Sequence, residues 1–276
     1  MSNSNNWLVS SHHKAYAKIN WDLLILGRRF DGYHELDSLV SQISIFDEVI
    51  VTISNGSNIE IVSEVAPGEE NLCYKAAKIF FKKIGCDFKV KVEITKNIPY
   101  GAGLGGGSSD AASTIIALDN LLKTNLKKQD LFDIAMQVGS DVPSLLFTGW
   151  RRIKGRGEQV EQINGPTLKL VLLKPDCNLN TAEVYKKFDD QPYKKQSLPK
   201  IIERFKTPRN DLQKVAEKLT PEIRILLDQL SKHGAKKVSM TGSGSCVFGV
   251  FENDKEVNKA ILKIDASYKK IVSTCP

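Results

Sequence analysis

The chain has 276 residues, 41% of them hydrophobic, which suits one large domain or two small ones of ~100–200 residues each and excludes a disordered or collagen-like chain. The net charge of +7 comes from Lys spread along the chain, in pairs at 82–83, 127–128, 186–187, 194–195, 236–237 and 269–270; it reads as solvated faces or as attraction for an anionic small molecule. No apolar run approaches the ~20 residues that span a bilayer, and an odd set of cysteines without a CxxC pair reads as reduced thiols in a cytoplasmic protein.

The N-terminal MSNSNNWLVSSHHK is polar, resembles neither a secretory nor a transit segment, and is expected to be loosely ordered up to about His13. Residues 15–26 alternate as one strand, with Ala15, Ala17, Ile19 and Trp21 on one face and Tyr16, Lys18, Asn20 and Asp22 on the other. RRFDGYHE is a loop with a turn at Asp31-Gly32. SLVSQISIF and EVIVTIS read as two strands split by Asp47-Glu48, and IEIV as a short third. NLCYKAAKIFFKKIG has helical period and a Gly stop, and FKVKVEIT alternates as a strand. A Gly-rich loop then enters a helix over 108–122, and LKKQDLFDIAMQVG forms another helix. Ser140-Asp141-Val142-Pro143 is a turn or helix start.

The second half offers strands at TLKLVLLK, KKVSMTG and SCVFGVF. It offers helices at TAEVYKKF, LPKIIERF, NDLQKVAEKL and PEIRILLDQLSK, and a closing helix–strand pair. Strands in runs followed by helices in runs predict an α+β fold. A boundary near 150–165 divides it into an N-terminal lobe, 1–155, and a C-terminal lobe, 156–276. One tight basic cluster, Arg151-Arg152-Ile153-Lys154-Gly155-Arg156, lies at that boundary.

The loop Pro99-Tyr100-Gly101-Ala102-Gly103-Leu104-Gly105-Gly106-Gly107-Ser108-Ser109 carries the clearest chemistry. Glycines let the backbone approach a polyphosphate, and the N–H groups of the following helix start hold the anion. Ser108 and Ser109 add hydroxyls for phosphate or Mg²⁺. Gly107 stands where a Walker A loop needs Lys. The GxGxxG match lacks the strand that a dinucleotide fold places after the helix. There is no HRD or DFG of a protein kinase and no HExxH.

PYGAGLGGGSSDA resembles the phosphate loop of the GHMP kinases, the family of galactose, homoserine, mevalonate and phosphomevalonate kinases. AKIN followed by GRRFDGYHEL is similar to its cytidine-dependent member. VGSDVPSLLF resembles the segment with the catalytic Asp, and MTGSGSCVFGVF the third, glycine-rich motif. These matches span residues 15–251 in the family's order.

The resemblance implies a two-lobed GHMP-kinase-like α+β fold with the active cleft between lobes. It implies ATP and Mg²⁺, and an acceptor that is a polyol linked to cytidine diphosphate, with no nucleic-acid or membrane partner; a monomer or a weak dimer suits it. It makes Lys18 and Asp141 the catalytic pair, although the residues alone favour a solvated Lys at 18 and leave a helix N-cap equally open at 141. Tyr33, His34 and Tyr185 would hold the cytosine, Asn20 and Thr181 the polyol end, and Asn71 and Lys96 would flank adenine beside the phosphate loop. Trp150-Arg151-Arg152 departs from the family's small residues there. The rival readings are a GHMP kinase with a smaller acceptor and a non-catalytic nucleotide- or RNA-binding protein.

Overall fold

The computed structural model describes residues 8–190 and 198–275. The Lys194–Lys195 pair and residues 1–7 of the N-terminal expectation lie outside them. In chain order the strands and helices begin with β1 (Leu8–Asn20), β2 (Asp22–Arg28), β3 (His34–Ser54) and β4 (Asn58–Ser63). Next come α1 (Leu72–Ile84), β5 (Lys89–Thr95), α2 (Gly106–Leu122), α3 (Lys128–Val138) and α4 (Val142–Leu145). The third group is β6 (Trp150–Gly155), β7 (Gln159–Gln162), β8 (Leu168–Lys174), α5 (Thr181–Asp189), α6 (Ile201–Arg204) and β9 (Arg209–Asn210). The last are α7 (Gln213–Leu219), α8 (Glu222–Lys232), β10 (Lys237–Met240), β11 (Val247–Phe251), α9 (Asp254–Lys263) and β12 (Lys269–Cys275).

Several boundaries differ from the sequence expectation, each for a physical reason. β1 starts at Leu8, not after His13, and pairs with β3. The strand expected over 15–26 breaks at Trp21, whose N–H turns to the Leu39 carbonyl. The two strands expected around Asp47-Glu48 are one strand of 21 residues. Asp47 is fully buried there, and its Oδ1 accepts the N–H groups of Asn97 and Ile98 at 2.6 and 2.7 Å. A satisfied carboxylate need not interrupt a ladder. The basic cluster forms β6 and turns into β7. Asn210 lies in a short strand rather than in the helix expected from NDLQKVAEKL, which starts at Gln213.

The chain divides into two units that are not its sequential halves. The first takes residues up to Ala17, Ile45–Ile98 and Gly105–Phe147; the second takes Lys18–Ser44, Pro99–Leu104 and Thr148–Pro276. Two stretches of the expected N-terminal lobe thus belong to the second unit, while the end of the first at 147 falls just before the expected boundary.

In the first unit the later part of β3 pairs antiparallel with β5, and β4 lies parallel to β5. Val49, Val51, Ile53, Val90 and Val92 alternate onto one face and meet Ala76, Phe80, Ala111, Ile115 and Leu118 of the helices. The alanines let α1 and α2 approach closely. In the second unit β10, β11, β8 and β12 form an antiparallel sheet in that order. Val171, Leu173, Val247 and Phe251 pack there with Leu226, Leu230, Val257 and Ala260 of α8 and α9. The early part of β3 pairs with β2 and β6, and β2 runs parallel to β9.

Candidate active site

Lys18, Asn20 and Asp22 are buried, so Lys18 is not the solvated lysine of the alternation pattern. Its ammonium donates to Asn20 Oδ1 at 2.6 Å and to the Gly103 carbonyl at 2.9 Å. Its backbone N–H donates to the Leu104 carbonyl. Asn20 in turn donates through Nδ2 to Ser38 Oγ and through its N–H to Thr241 Oγ1, both at 2.9 Å. Lys18 and Asn20 therefore join the first half of the glycine-rich loop to the loop at 240–245.

Those two loops touch so closely that only glycine fits. A Cβ on Gly103 would stand 2.5 Å from the Thr241 carbonyl, in backbone at φ +71°. A Cβ on Gly242 would stand 2.9 Å from the Gly103 carbonyl and 3.3 Å from Lys18 Nζ. Buried Asn210 braces the second loop: its Nδ2 donates to the Met240 and Gly242 carbonyls at 2.9 and 2.8 Å. On this side Ala102 accepts the Cys246 N–H, and Tyr100 is exposed.

Beneath the Lys18–Asn20 row lies an ion network that the sequence did not announce. Arg204 holds Asp22 with both arms of a fork, at 2.6 and 2.7 Å, and Asp37 at 2.6 Å. Arg152 also grips Asp37, at 2.5 Å. Burial opposes the Asp37 charge, but hydrogen bonds from Arg152 and Arg204 outweigh it and hold the carboxyl below its ordinary range. At Asp22 burial prevails and the shift is upward. The departure at Trp150-Arg151-Arg152 is thereby explained. Trp150 packs edge-on to Phe205 and Trp21, Arg151 is buried with Nη1 donating to the Gly149 carbonyl, and Arg152 feeds the network.

A second group of expected residues also comes together in the second unit. His34 and Tyr185 stack with ring centroids 4.7 Å apart. His34 Nε2 lies 2.7 Å from Asp189 Oδ1, a partner that no local motif marked. With the carboxylate as acceptor, Nε2 carries the proton of this contact. Tyr33, next to His34 in sequence, is 49% exposed. Thr181 opens α5, and its hydroxyl lies 2.8 Å from Ser243 Oγ, joining α5 to the 240–245 loop.

In the first unit Gly105 precedes α2, and Gly106 and Gly107 form its first positions, two residues earlier than expected. Nine buried residues along α2 fix its start. Ser108 is half-buried; Ser109 is buried, with its hydroxyl donating to the Tyr16 carbonyl at 2.7 Å. Lys96 is drawn into ion pairs with Asp47 and with Asp110, the latter at 2.7 Å. Burial, with Asp47 nearby, pushes the Asp110 carboxyl upward, and its Oδ1 has no hydrogen-bond partner. Asn71 caps α1, accepting the Cys73 N–H at 2.8 Å and donating to the Ala66 carbonyl at 2.9 Å. Both residues expected beside adenine thus have internal bonds. Asp141 is exposed before α4, and its side chain makes no cap hydrogen bond. The N-cap reading of that residue is therefore not what its side chain does.

Among the described residues no three His, Cys, Asp or Glu side chains gather as a metal site. No helix among them is long and apolar enough to cross a membrane. The five cysteines are free, as their odd number suggested.

Known proteins resemble the chain over most of its length. The N-terminal domain of the GHMP kinases matches residues 71–149 and the C-terminal domain matches residues 196–270. The chain is 37% identical, over 92% of its length and 93% of the relative's, to the 4-diphosphocytidyl-2-C-methyl-D-erythritol kinase of Caldanaerobacter subterraneus subsp. tengcongensis. It is 39% identical to that of Desulfitobacterium hafniense, over 89% and 88%. A crystal structure of 4-(cytidine 5'-diphospho)-2C-methyl-D-erythritol kinase superimposes with a TM-score of 0.83 at 32% identity, covering 96% of this chain and 99% of that one. Homoserine kinase from Cytophaga hutchinsonii shares the fold at 16% identity and a TM-score of 0.72, over 100% and 96%. With its glycine-braced loops, its α+β architecture and these relatives, the chain belongs to the GHMP kinase family, in the group of the 4-diphosphocytidyl-2-C-methyl-D-erythritol kinases.

Proposed function

We propose that the chain transfers the γ-phosphoryl group of ATP to the 2-hydroxyl of 4-diphosphocytidyl-2-C-methyl-D-erythritol, a step of non-mevalonate isoprenoid synthesis. The observation that carries the reading is the His34–Tyr185 ring pair, with Tyr33 next to His34 in sequence, in the same unit as the buried Lys18–Asn20 row. Free thiols, three of them buried, suit the reducing cytoplasm.

Phosphoryl transfer asks the protein mainly for positioning and charge. Asp141 is the base. Its carboxylate takes the proton of the 2-hydroxyl as that oxygen bonds to the γ-phosphorus. The bond from the γ-phosphorus to the bridging oxygen breaks, and ADP leaves with that electron pair. Lys18, held by Asn20 and the Gly103 carbonyl, supplies positive charge where negative charge gathers in the transition state. The backbone of 101–107 and the start of α2 receive the phosphates. The half-buried Ser108 hydroxyl, rather than that of the buried Ser109, would hold Mg²⁺, which would supply positive charge against the phosphates. Asn71 and Lys96 serve adenine indirectly, through the segments their internal bonds hold. His34 and the two tyrosines receive cytosine, and Asn20 and Thr181 face the polyol end.

The test is an ADP-release assay with the cytidylated methylerythritol acceptor beside mevalonate and homoserine. Turnover with the first alone is expected. Comparable turnover with mevalonate or homoserine would replace this reading with that of a kinase for a smaller acceptor.

A further inference from the structure

The basic cluster at 151–156 is only partly accounted for by the ion network, because its last member points elsewhere. The Arg156 guanidinium lies over the Tyr33 ring, 4.8 Å from the centroid. The two residues come from different turns, and both turns are tied down. In the β2–β3 turn, the Arg29 N–H donates to the Tyr33 carbonyl at 2.7 Å, and Asp31 Oδ1 accepts the Tyr33 N–H at 3.1 Å. In the β6–β7 turn, Glu158 Oε2 accepts the Arg156 N–H at 2.5 Å. Arg29 joins the turns by donating to Glu158 Oε1 at 3.0 Å.

The Tyr33 backbone is therefore fixed, while its half-exposed side chain has one face covered by a cation. An aromatic ring in water gains little by holding one rotamer, and a planar guanidinium is the side chain suited to hold it by stacking. With one face covered, the ring offers the opposite face to a flat ligand.

We propose that Arg156 is a positioning residue for the nucleobase: it seats the Tyr33 ring and leaves the ring's other face for the base of the acceptor. This rests on the reading that the acceptor carries a cytosine received by Tyr33. Ordering the ring before binding removes part of the cost that binding would otherwise meet.

The experiment measures cytidine diphosphate affinity by calorimetry and steady-state kinetics with both substrates. Arg156→Ala is expected to weaken cytidine diphosphate and raise the acceptor KM by about three- to fivefold, the range of an exposed cation–π contact. The ATP KM and kcat should stay put, which a general loss of fold would not allow. Arg156→Lys keeps a cation without the plane and should fall between. In a Tyr33→Ala background, Arg156→Ala should add nothing, because its action runs through the ring. Unchanged affinity in Arg156→Ala, or penalties that multiply in the double variant, would overturn the proposal while leaving the kinase reading intact. Wild-type protein that phosphorylates an acceptor yet does not bind cytidine diphosphate would overturn both.

Discussion

At the scale of single residues, Asp141 and Gly103 give the sharpest contrasts. Asp141→Asn keeps the shape but cannot accept a proton. The kcat should fall by ~10²–10⁴ with the acceptor KM little changed. The wild-type side chain makes no cap hydrogen bond, so the loss of a helix cap contributes nothing to the melting temperature of the variant. A variant with near-normal kcat would remove Asp141 from the mechanism. Gly103→Ala tests the meeting of the loops. Its methyl would press on the Thr241 carbonyl in backbone that already disfavours a side chain. The ATP KM is expected to rise at least tenfold, and unchanged ATP kinetics would show that the two loops can part freely. Lys18, Asn20, Tyr33, His34 and Tyr185 could all be marked from the sequence, since each sits in a local motif. Asp189 and Arg156 could not be, because their partners lie 155 and 123 positions away from them in the chain, at His34 and Tyr33. Motif reading did not give the internal partners of Lys96 and Asn71.

At the scale of elements, two buried ion clusters do different work. Arg204 ties β2 and β3 to α6, with Asp22 and Asp37 almost wholly out of solvent. Arg204→Met would leave two buried carboxylates with too few partners, and Arg152 reaches only Asp37. A loss of about 3–5 kcal/mol is expected, read as a lowered urea midpoint. The Asp47–Lys96–Asp110 cluster links β3 and α2, with two carboxylates sharing one ammonium. Burial raises the folded-state pKa of Asp110 above its unfolded value. The folded state therefore binds the proton more tightly, and this stabilising contribution is present below the ordinary carboxylate range and lost as pH rises through the folded pKa. Asp110→Asn should flatten that component of the pH dependence, measured as the wild-type-minus-variant stability between pH 4 and pH 8. A constant difference across the series would rule the titration out. The length of β3 was hidden for a related reason. Asp47-Glu48 reads as a break until the N–H groups of Asn97 and Ile98 are known to satisfy Asp47.

At the scale of the whole molecule, the fold class was legible from periodicity and the family motifs, but the path of the chain was not. Nothing in the local pattern of 15–26 says that the chain leaves one unit after Ala17 and enters the other at Lys18. Membership of a unit depends on partners far along the chain, and alternation reports only that a face is buried. For Trp21 this bears on the order of synthesis. The rings packed around it belong to Trp150, Phe205 and Phe248. All the residues of the first unit have been made once Phe147 has been added, but Lys18–Ser44 must then wait for most of the remaining chain. On the ribosome, the segment carrying Lys18 and Tyr33 is thus made long before it gains its cover. A nascent chain stalled just past 147 would display Trp21, Leu23 and Ile25 as an adhesive surface, the kind that chaperones bind.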